Sequence, residues 1–508
     1  MRTTYHLVTM LLLIVPAIGY AQEKEKKEAK PIVYRYPEPS VTRHQATVNG
    51  ERIAYTATTG HLVMLDEKGA KRSHNFYIAY TKDQPKDKAA DPSKRPVTFV
   101  FNGGPGSSSV WLHMGALGPK RVTMEDDGTS TPPPYSVVDN NYSWLDKTDL
   151  VFIDPIETGY SRPAEEVDKK EFTGYAEDLK SVGDFIHKYV SQNGRWASPK
   201  FLAGESYGTT RAAGLSGYLQ DRHGMYLNGI VLISAVMNFQ TLRDTEGNDL
   251  PYALYLPSFA ATAYHHGKID KARFPVEQEF LREVERFAIT DYTLFLMKGT
   301  RTNKEERDAM AERLSAYMGI GPDVIARNHH RINTRAFTKE LLREEGRTIG
   351  RFDGTVKGID RSDAGDGFDF DPSYNLTIYG PYTMAINDHL RNTLRYENSD
   401  MVYEILTGKV RPWNWGCEEN HFLNNAETLR SAIHKNPRLK VLICNGYYDL
   451  ATPYFATEYT VDHLFLHEEY RDNVTMAYYN AGHMMYSIRT ELEKFTADAR
   501  AFYKACGY

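Results

Sequence analysis

The sequence predicts an α/β fold: a mostly parallel sheet flanked by helices and interrupted by a largely helical insertion. Three observations carry this reading. Short apolar runs at Val97–Phe101, Leu150–Ile153, Phe201–Ala203, Ile230–Ile233, Val441–Ile443 and Thr475–Tyr479 each end in a loop. Helical stretches separate several of them, the rhythm of strands buried on both faces of a parallel sheet. The stretch from Ile32 to Lys94 instead alternates in short pieces with turn signals such as Asn49-Gly50, which predicts antiparallel hairpins. Between about Thr241 and Asn425 the strand rhythm stops. There Phe280, Val284 and Phe287, and again Met310, Leu314 and Met318, recur at helical spacing, and Asn303 with Glu306 forms a capping-box pair.

Taken in order, the chain opens with Arg2, the apolar run Leu7–Ile18, and small residues at Gly19 and Ala21. This is the pattern of a cleaved signal peptide over residues 1–21. The run is shorter than the roughly 20 residues a bilayer span needs, so no membrane association is expected after cleavage. Residues 22–31 form a charged linker with nothing to bury. The α/β core is expected over 32–240 and 426–508, with the helical insertion at 241–425. At 508 residues the chain is too long for one ordinary core, which accords with such an insertion. A formal charge of −5 leaves no basic footprint for nucleic acid.

Only three cysteines occur, Cys417, Cys444 and Cys506. A secreted chain without a dense disulfide framework points to a bacterial exterior or periplasm. Cys444 lies in an apolar run and is expected as a buried thiol; spacing alone does not pair Cys417 with Cys506. No cofactor motif is present and no metal is expected. Asp360, Asp363, Asp366, Asp369 and Asp371 crowd one loop, but not at EF-hand spacing, and read as a solvated loop. The His265-His266 and His329-His330 pairs lack a metal-site pattern and are expected at the surface. Oligomeric state is not readable from the sequence.

The chemistry lies elsewhere. Gly204-Glu205-Ser206-Tyr207-Gly208 follows an apolar run and precedes a stretch with small residues, the strand–turn–helix context of a nucleophile elbow. A serine hydroxyl needs a base, and the base an orienting acid. In the α/β-hydrolase order of serine, acid, histidine, Asp449 and His483 each follow a strand-like run. Asn102-Gly103-Gly104-Pro105-Gly106-Ser107-Ser108 follows another. Its glycines let backbone N–H groups approach a developing oxyanion; Pro105 has none, so Gly103 or Gly104 must donate, with the Tyr207 amide as the second donor.

Together these segments resemble the serine carboxypeptidases. Asn102–Ser108, Glu205-Ser206-Tyr207-Gly208, Asp449-x-x-Thr452-Pro453, Ala481-Gly482-His483-Met484 and Asp154–Ser161 carry the resemblance, which runs from about Val97 to the C-terminus. Gly380-Pro381-Tyr382 and Glu344-Glu345-Gly346-Arg347 are similar to its bacterial branch. The resemblance implies an α/β-hydrolase fold with a helical cap, and a C-terminal exopeptidase acting on peptides through an acyl-enzyme. It implies Ser206, Asp449 and His483 as the triad and Gly104 and Tyr207 as the oxyanion hole. Asn102, the Gly103 amide and Glu205 would then hold the substrate's free carboxylate. Two carboxylates at hydrogen-bonding distance cannot both be charged, so Glu205 is expected to carry a proton and activity to be best at mildly acidic pH. An aminopeptidase, or an esterase or acyltransferase, on the same scaffold is the alternative. The chain departs from the family pattern at Ala116, where a Glu is common, at Ser107, where a Cys is common, and at Glu157, where a Gly is common.

Overall fold

The computed structural model describes residues 34–84, 91–416 and 420–508. The expected signal peptide and charged linker, and Cys417, lie outside the described residues.

A ten-stranded mixed sheet organises the chain. Its main strands are β1 (Ser40–Val48), β2 (Glu51–Leu65), β3 (Lys71–Lys82), β4 (Val97–Phe101), β5 (Asp149–Ile153), β6 (Lys200–Glu205), β7 (Gly229–Ile233), β8 (Lys440–Gly446) and β9 (Val474–Tyr479). A two-residue strand, Arg162–Pro163, adds to β3. The spatial order is β1-β2-β3-β5-β4-β6-β7-β8-β9. β1, β2 and β3 form antiparallel hairpins, and β3 meets β5 antiparallel. From β5 to β9 every pair is parallel. The first hairpin turns at Asn49 and Gly50, with φ of 53° and 76°, a geometry these two residues tolerate best. Strands β4, β5, β6 and β7 are buried along their whole length, which is why they read as continuous apolar runs.

Helices cover both faces. On one, α1 (Tyr175–Gln192), α2 (Tyr207–His223) and α7 (Ala426–Lys435) share a cluster with Phe99, Leu202 and Ile230. On the other, α8 (Arg489–Ala505) packs Phe495, Phe502 and Tyr503 against Phe152, Phe201 and Val231. Between β7 and α7 the chain runs through α3 (Leu250–His265), α4 (Glu277–Phe287), α5 (Lys304–Met318) and α6 (Tyr379–Asp388). Phe259, Phe280, Val284, Leu314 and Tyr317 join α3 to α5 in one cluster. Tyr382 and Ile386 of α6 belong instead to the cluster on the sheet. The capping box of α5 forms: Glu306 N donates to Asn303 Oδ1 at 2.8 Å and Asn303 N to Glu306 Oε2 at 2.9 Å. Cys444 and Cys506 are unpaired, and Cys444 is buried.

Two local expectations are corrected in part. In the acidic loop, Asp360 meets Lys339 at 2.6 Å with both side chains buried, and Asp369 and Asp371 accept from backbone amides of the same region. His330 is not at the surface as expected. It is buried, and its Nε2–H donates to Arg307 O at 2.8 Å. Among the described residues no helix is long and apolar enough to cross a membrane.

One buried ion pair ties the α2 helix to the glycine-rich loop. Arg211 Nε donates to Asp178 Oδ2 at 2.7 Å and its Nη1 to the Asn102 carbonyl at 2.6 Å, with Arg211 and Asp178 1% and 3% exposed. Arg211→Met would strand Asp178 without a partner, and a loss of about 3–5 kcal/mol is expected. Urea unfolding should show that loss, and Arg211→Met with Asp178→Leu should recover a large part of it. An unchanged unfolding midpoint for the single variant would contradict the assignment.

Candidate active site

The sharp turn between β6 and α2 gives Ser206 its position. Ser206 has φ 59° and ψ −129°, outside the regions ordinary residues favour. Its amide donates to Ile233 O at 3.0 Å, which pins the turn to the neighbouring strand. Ser206 is partly exposed while Glu205, Tyr207 and Gly208 are buried. The flanking glycines are needed for space. A Cβ at Gly204 would intrude on Gly208 O, and one at Gly208 would lie 2.7 Å from Phe101 O.

His483 and Asp449 sit in loops just past β9 and β8. His483 Nδ1–H donates to Asp449 Oδ2 at 2.7 Å, which leaves Nε2 as the nitrogen able to take a proton. Asp449 is fully buried yet well supplied with donors. Its Oδ1 accepts from the amides of Ala451 and Thr452 at 2.8 and 2.9 Å, and its Oδ2 from Thr452 Oγ1 at 2.8 Å. Burial is the largest single influence and lowers the affinity of His483 for a proton, but the charge and hydrogen bond of Asp449, with the charge of Glu205, together hold the imidazole above its ordinary pKa. Ser206, His483, Glu205, Gly103 and Gly104 line one cavity of about 470 Å³. No Ser206–His483 hydrogen bond is formed among the described residues; such contacts commonly tighten with substrate in place.

The glycine-rich loop lies against the elbow. A Cβ at Gly103 would intrude on the Tyr207 amide and stand 2.8 Å from both Glu205 O and Gly208 N. Among the described residues the amides of Gly104 and Tyr207 donate to no protein acceptor. Tyr207 is buried and Gly104 exposed, and both border the wall beside Ser206, where their free N–H groups can serve an incoming oxygen. Gly104 has φ 105°, which excludes a side chain for a second reason.

Glu205 is 3% exposed and forms no ion pair with a described residue. Burial pushes its carboxyl up to about 7; the His483 imidazole and a hydrogen bond from Tyr486 Oη pull it down, Asp449 pushes it up, and Asn102 pulls it slightly down. Asn102 is held by Leu112 N, which donates to its Oδ1 at 3.1 Å, while its buried Nδ2 completes no hydrogen bond of good geometry. The three departures from the family pattern also have local explanations. Ala116 is buried, and beside it Tyr382 and Tyr486 close the wall: a Cβ at Gly115 would lie 2.5 Å from Tyr382 Oη. Ser107 Oγ accepts from Trp111 Nε1 at 2.8 Å, and backbone bonds from Ser108 to Ile405 (3.0 Å) and from Thr407 to Gly106 (2.9 Å) fasten its loop. Glu157 adopts φ 72°, which explains why glycine is at home there.

Sequence reasoning missed Tyr486 and the segment Arg351–Gly354, and named Thr452 only as part of a motif, without a role. Phe352 O accepts from His483 N at 2.6 Å, Asp353 Oδ2 from Gly482 N at 3.0 Å, and Arg351 O from Leu450 N at 3.1 Å. Tyr486 and Thr452 each stand three residues beyond an identified site residue, His483 and Asp449, so proximity was an available signal. Arg351–Gly354 follows the Glu344–Arg347 phrase by four residues, but nothing in that phrase pointed to the loops after β8 and β9.

A family model described as serine carboxypeptidase matches residues 49–497. The chain belongs to that family. Carboxypeptidase Y of Schizosaccharomyces pombe is 33% identical over 151 residues, covering 29% of this chain and 13% of that protein. Serine carboxypeptidase-like 33 of Arabidopsis thaliana is 29% identical over 144 residues, 26% of each chain. The aligned stretches thus span under a third of these relatives' length. A solved structure, Kex1(delta)p, a prohormone-processing carboxypeptidase from Saccharomyces cerevisiae, superposes with a TM-score of 0.50 at 17% identity, covering 87% of this chain and 92% of its own. That likeness is one of fold, and the fold is the α/β-hydrolase fold.

Gly103→Ala tests the approach of the two turns. The methyl must displace the Tyr207 amide, and labelling of Ser206 by a fluorophosphonate is expected to slow by about 100-fold or more, the usual cost of an oxyanion donor. Labelling at the wild-type rate would show that the loop does not bear on the reactive turn.

Proposed function

We propose that this protein is a serine carboxypeptidase that removes C-terminal residues from peptides through an acyl-enzyme on Ser206. The observation that carries the reading is Glu205, a buried carboxyl with its pKa raised to about 7, immediately before Ser206 and in one cavity with His483. A hydrolase of simple esters has no need of such a group, whereas a neutral carboxyl can donate to a peptide's terminal carboxylate. Asn102 and the Gly103 amide complete that recognition.

In this reading His483 Nε2 takes the proton from Ser206 Oγ as the hydroxyl attacks the last peptide carbonyl. Asp449 keeps the imidazole in the required tautomer and stabilises its charged form. The oxyanion rests on the amides of Gly104 and Tyr207. His483 then passes its proton to the departing amino acid, and water releases the acyl group by the same route. The N-terminal reading places the enzyme outside the cytoplasm, secreted or periplasmic, with peptides as its partners.

The pH dependence follows in sign. Below about 7 Glu205 holds its proton and donates; above it the carboxylate repels the substrate terminus, so KM rises on the alkaline side. Protonation of His483, whose pKa is raised, removes the base on the acid side. Glu205→Gln keeps a donor and deletes a negative charge near His483. Peptidase activity should then persist to higher pH, and the acid limb should move to lower pH. Profiles of kcat/KM with an N-blocked peptide decide this; an unchanged profile would remove Glu205 from substrate binding. With the wild type, the free acid should be cleaved at least about tenfold faster than its C-terminal amide, since the amide leaves the buried polar groups mismatched. Equal rates, or a requirement for a free N-terminus, would replace this reading with an endopeptidase, esterase or aminopeptidase.

A further inference from the structure

Ser206 borders two cavities. The smaller, of about 470 Å³, contains Glu205 and His483. The larger, a cleft of about 1290 Å³, contains neither; it includes Tyr207 and the aromatic wall of Trp413 and Trp415, whose rings lie 5.5 and 6.0 Å from that of Tyr207. Given the proposed function, the terminal carboxylate sits at Glu205, so the departing residue fills the small cavity. The acyl part of the peptide, beginning with the penultimate residue, then lies in the large cleft.

Among the described residues the charge of that cleft is one-sided. Arg243, Arg351 and Arg411 line it, and no Asp or Glu does among the described residues. None of the three guanidinium groups forms an ion pair with a described residue. Arg351 Nη1 is buried without a hydrogen-bond partner while its guanidinium lies over the Phe352 ring, 5.0 Å from the centroid. Arg243 lies over Phe239 and Trp415, at 5.6 and 5.3 Å. Asp244 and Arg335 line an adjoining pocket that Arg351 also borders, and Glu205 lines the small cavity that Arg351 and Arg411 share. Arg351 and Arg411 line both the cleft and the small cavity, which puts them at the junction beside Ser206. Guanidinium groups stay charged at all relevant pH and present a planar fork that fits a carboxylate. An unpartnered, partly desolvated one beside a reactive serine calls for an anion.

We infer that the cleft selects peptides with an acidic residue, Asp or Glu, at the penultimate position, its side-chain carboxylate received by Arg351 and Arg411. Arg243 extends the same preference along the acyl chain. A neutral side chain there leaves the guanidinium groups unsatisfied, and a basic one meets repulsion.

The test uses the full-length protein and two N-blocked peptides, benzyloxycarbonyl-Ala-Glu-Phe and benzyloxycarbonyl-Ala-Gln-Phe, assayed for release of Phe across pH. The wild type should prefer the Glu peptide by about tenfold or more in kcat/KM, the range that a satisfied against an unsatisfied charged partner commands. The preference should shrink in about 0.5 M salt, which screens partly exposed charges. In Arg351→Gln and Arg411→Gln the ratio should fall toward one, and Arg351→Lys should restore part of it. Arg351 also depresses the proton affinity of His483, so its loss shifts the acid limb; the ratio within each variant cancels that shift. A wild-type ratio of one or less sinks the inference while leaving the carboxypeptidase reading intact. So does an equal loss on both peptides in the variants, which would assign the arginines to the terminal carboxylate or to structure. Release of Phe from neither peptide would sink both together.

Discussion

Where the glycine-rich loop crosses the nucleophile turn, backbone meets backbone with no room for a methyl group: a Cβ on Gly103 would intrude on the Tyr207 amide and reach 2.8 Å from Glu205 O. This approach sets the rest of the site. Two N–H donors can converge on one oxygen only if the chain segments bearing them touch, and a parallel sheet brings them close because β4 and β6 are neighbours ending at the same edge. Arg211 then holds the arrangement from beneath, reaching from α2 to the Asn102 carbonyl. The glycines at 103, 204 and 208 therefore answer one packing constraint. They are not three separate accommodations of backbone angle.

The site contains two buried carboxylates in opposite surroundings. Asp449 is wrapped in donors: two amides, the Thr452 hydroxyl and the His483 ring. Glu205 has the Tyr486 hydroxyl and little else, and burial drives it up to about 7. Unequal solvation of this kind separates an ionised group, able to steady an imidazolium, from a neutral one, able to donate. The imidazole between them senses both charges, so the protonation of Glu205 and the basicity of His483 move together.

The fold was legible in the sequence because burial on both faces writes itself as unbroken apolar runs, and five such runs became β4 to β8, while the sixth became the partly buried edge strand β9. The hairpins and the α5 capping box were legible for equally local reasons: Asn49-Gly50 satisfies a tight turn, and Asn303 with Glu306 satisfies orphan amides within one helical turn. The residues singled out around Ser206 stood within a few positions of a strand end, where short motifs carry the information. What escaped was non-local. Tyr486 is one of 35 tyrosines, and its place three residues after His483 does not by itself make it the donor to Glu205. His330 looked like half of a surface pair, yet the turn after Arg327 folds its ring inward to Arg307 O. Arg243, Arg351 and Arg411 are scattered through the sequence, and only the folded cleft makes a cluster of them.

The segment between β7 and α7 therefore has to be thought of as part of the machinery, not as a cover laid over it. Arg351 O, Phe352 O and the Asp353 carboxylate receive the amides of Leu450, His483 and Gly482 in turn, and Gly354 N returns a bond to Tyr448 O. One short strand of chain thus braces the acid-bearing and histidine-bearing loops against each other. Gly482 is required by the same contact, because a Cβ there would stand 2.5 Å from Asp353 Cα. The side chains of this brace then face the cavities: Phe352 lies 5.0 Å from the His483 ring, and Arg351 lines the cleft. In the proposed reading, the residues that fix the triad loops and the residue that charges the binding cleft are consecutive. A change in substrate preference made at this point is accordingly constrained by catalytic geometry: side chains can vary, while the carbonyls of 351 and 352 must stay where the acid and the base need them.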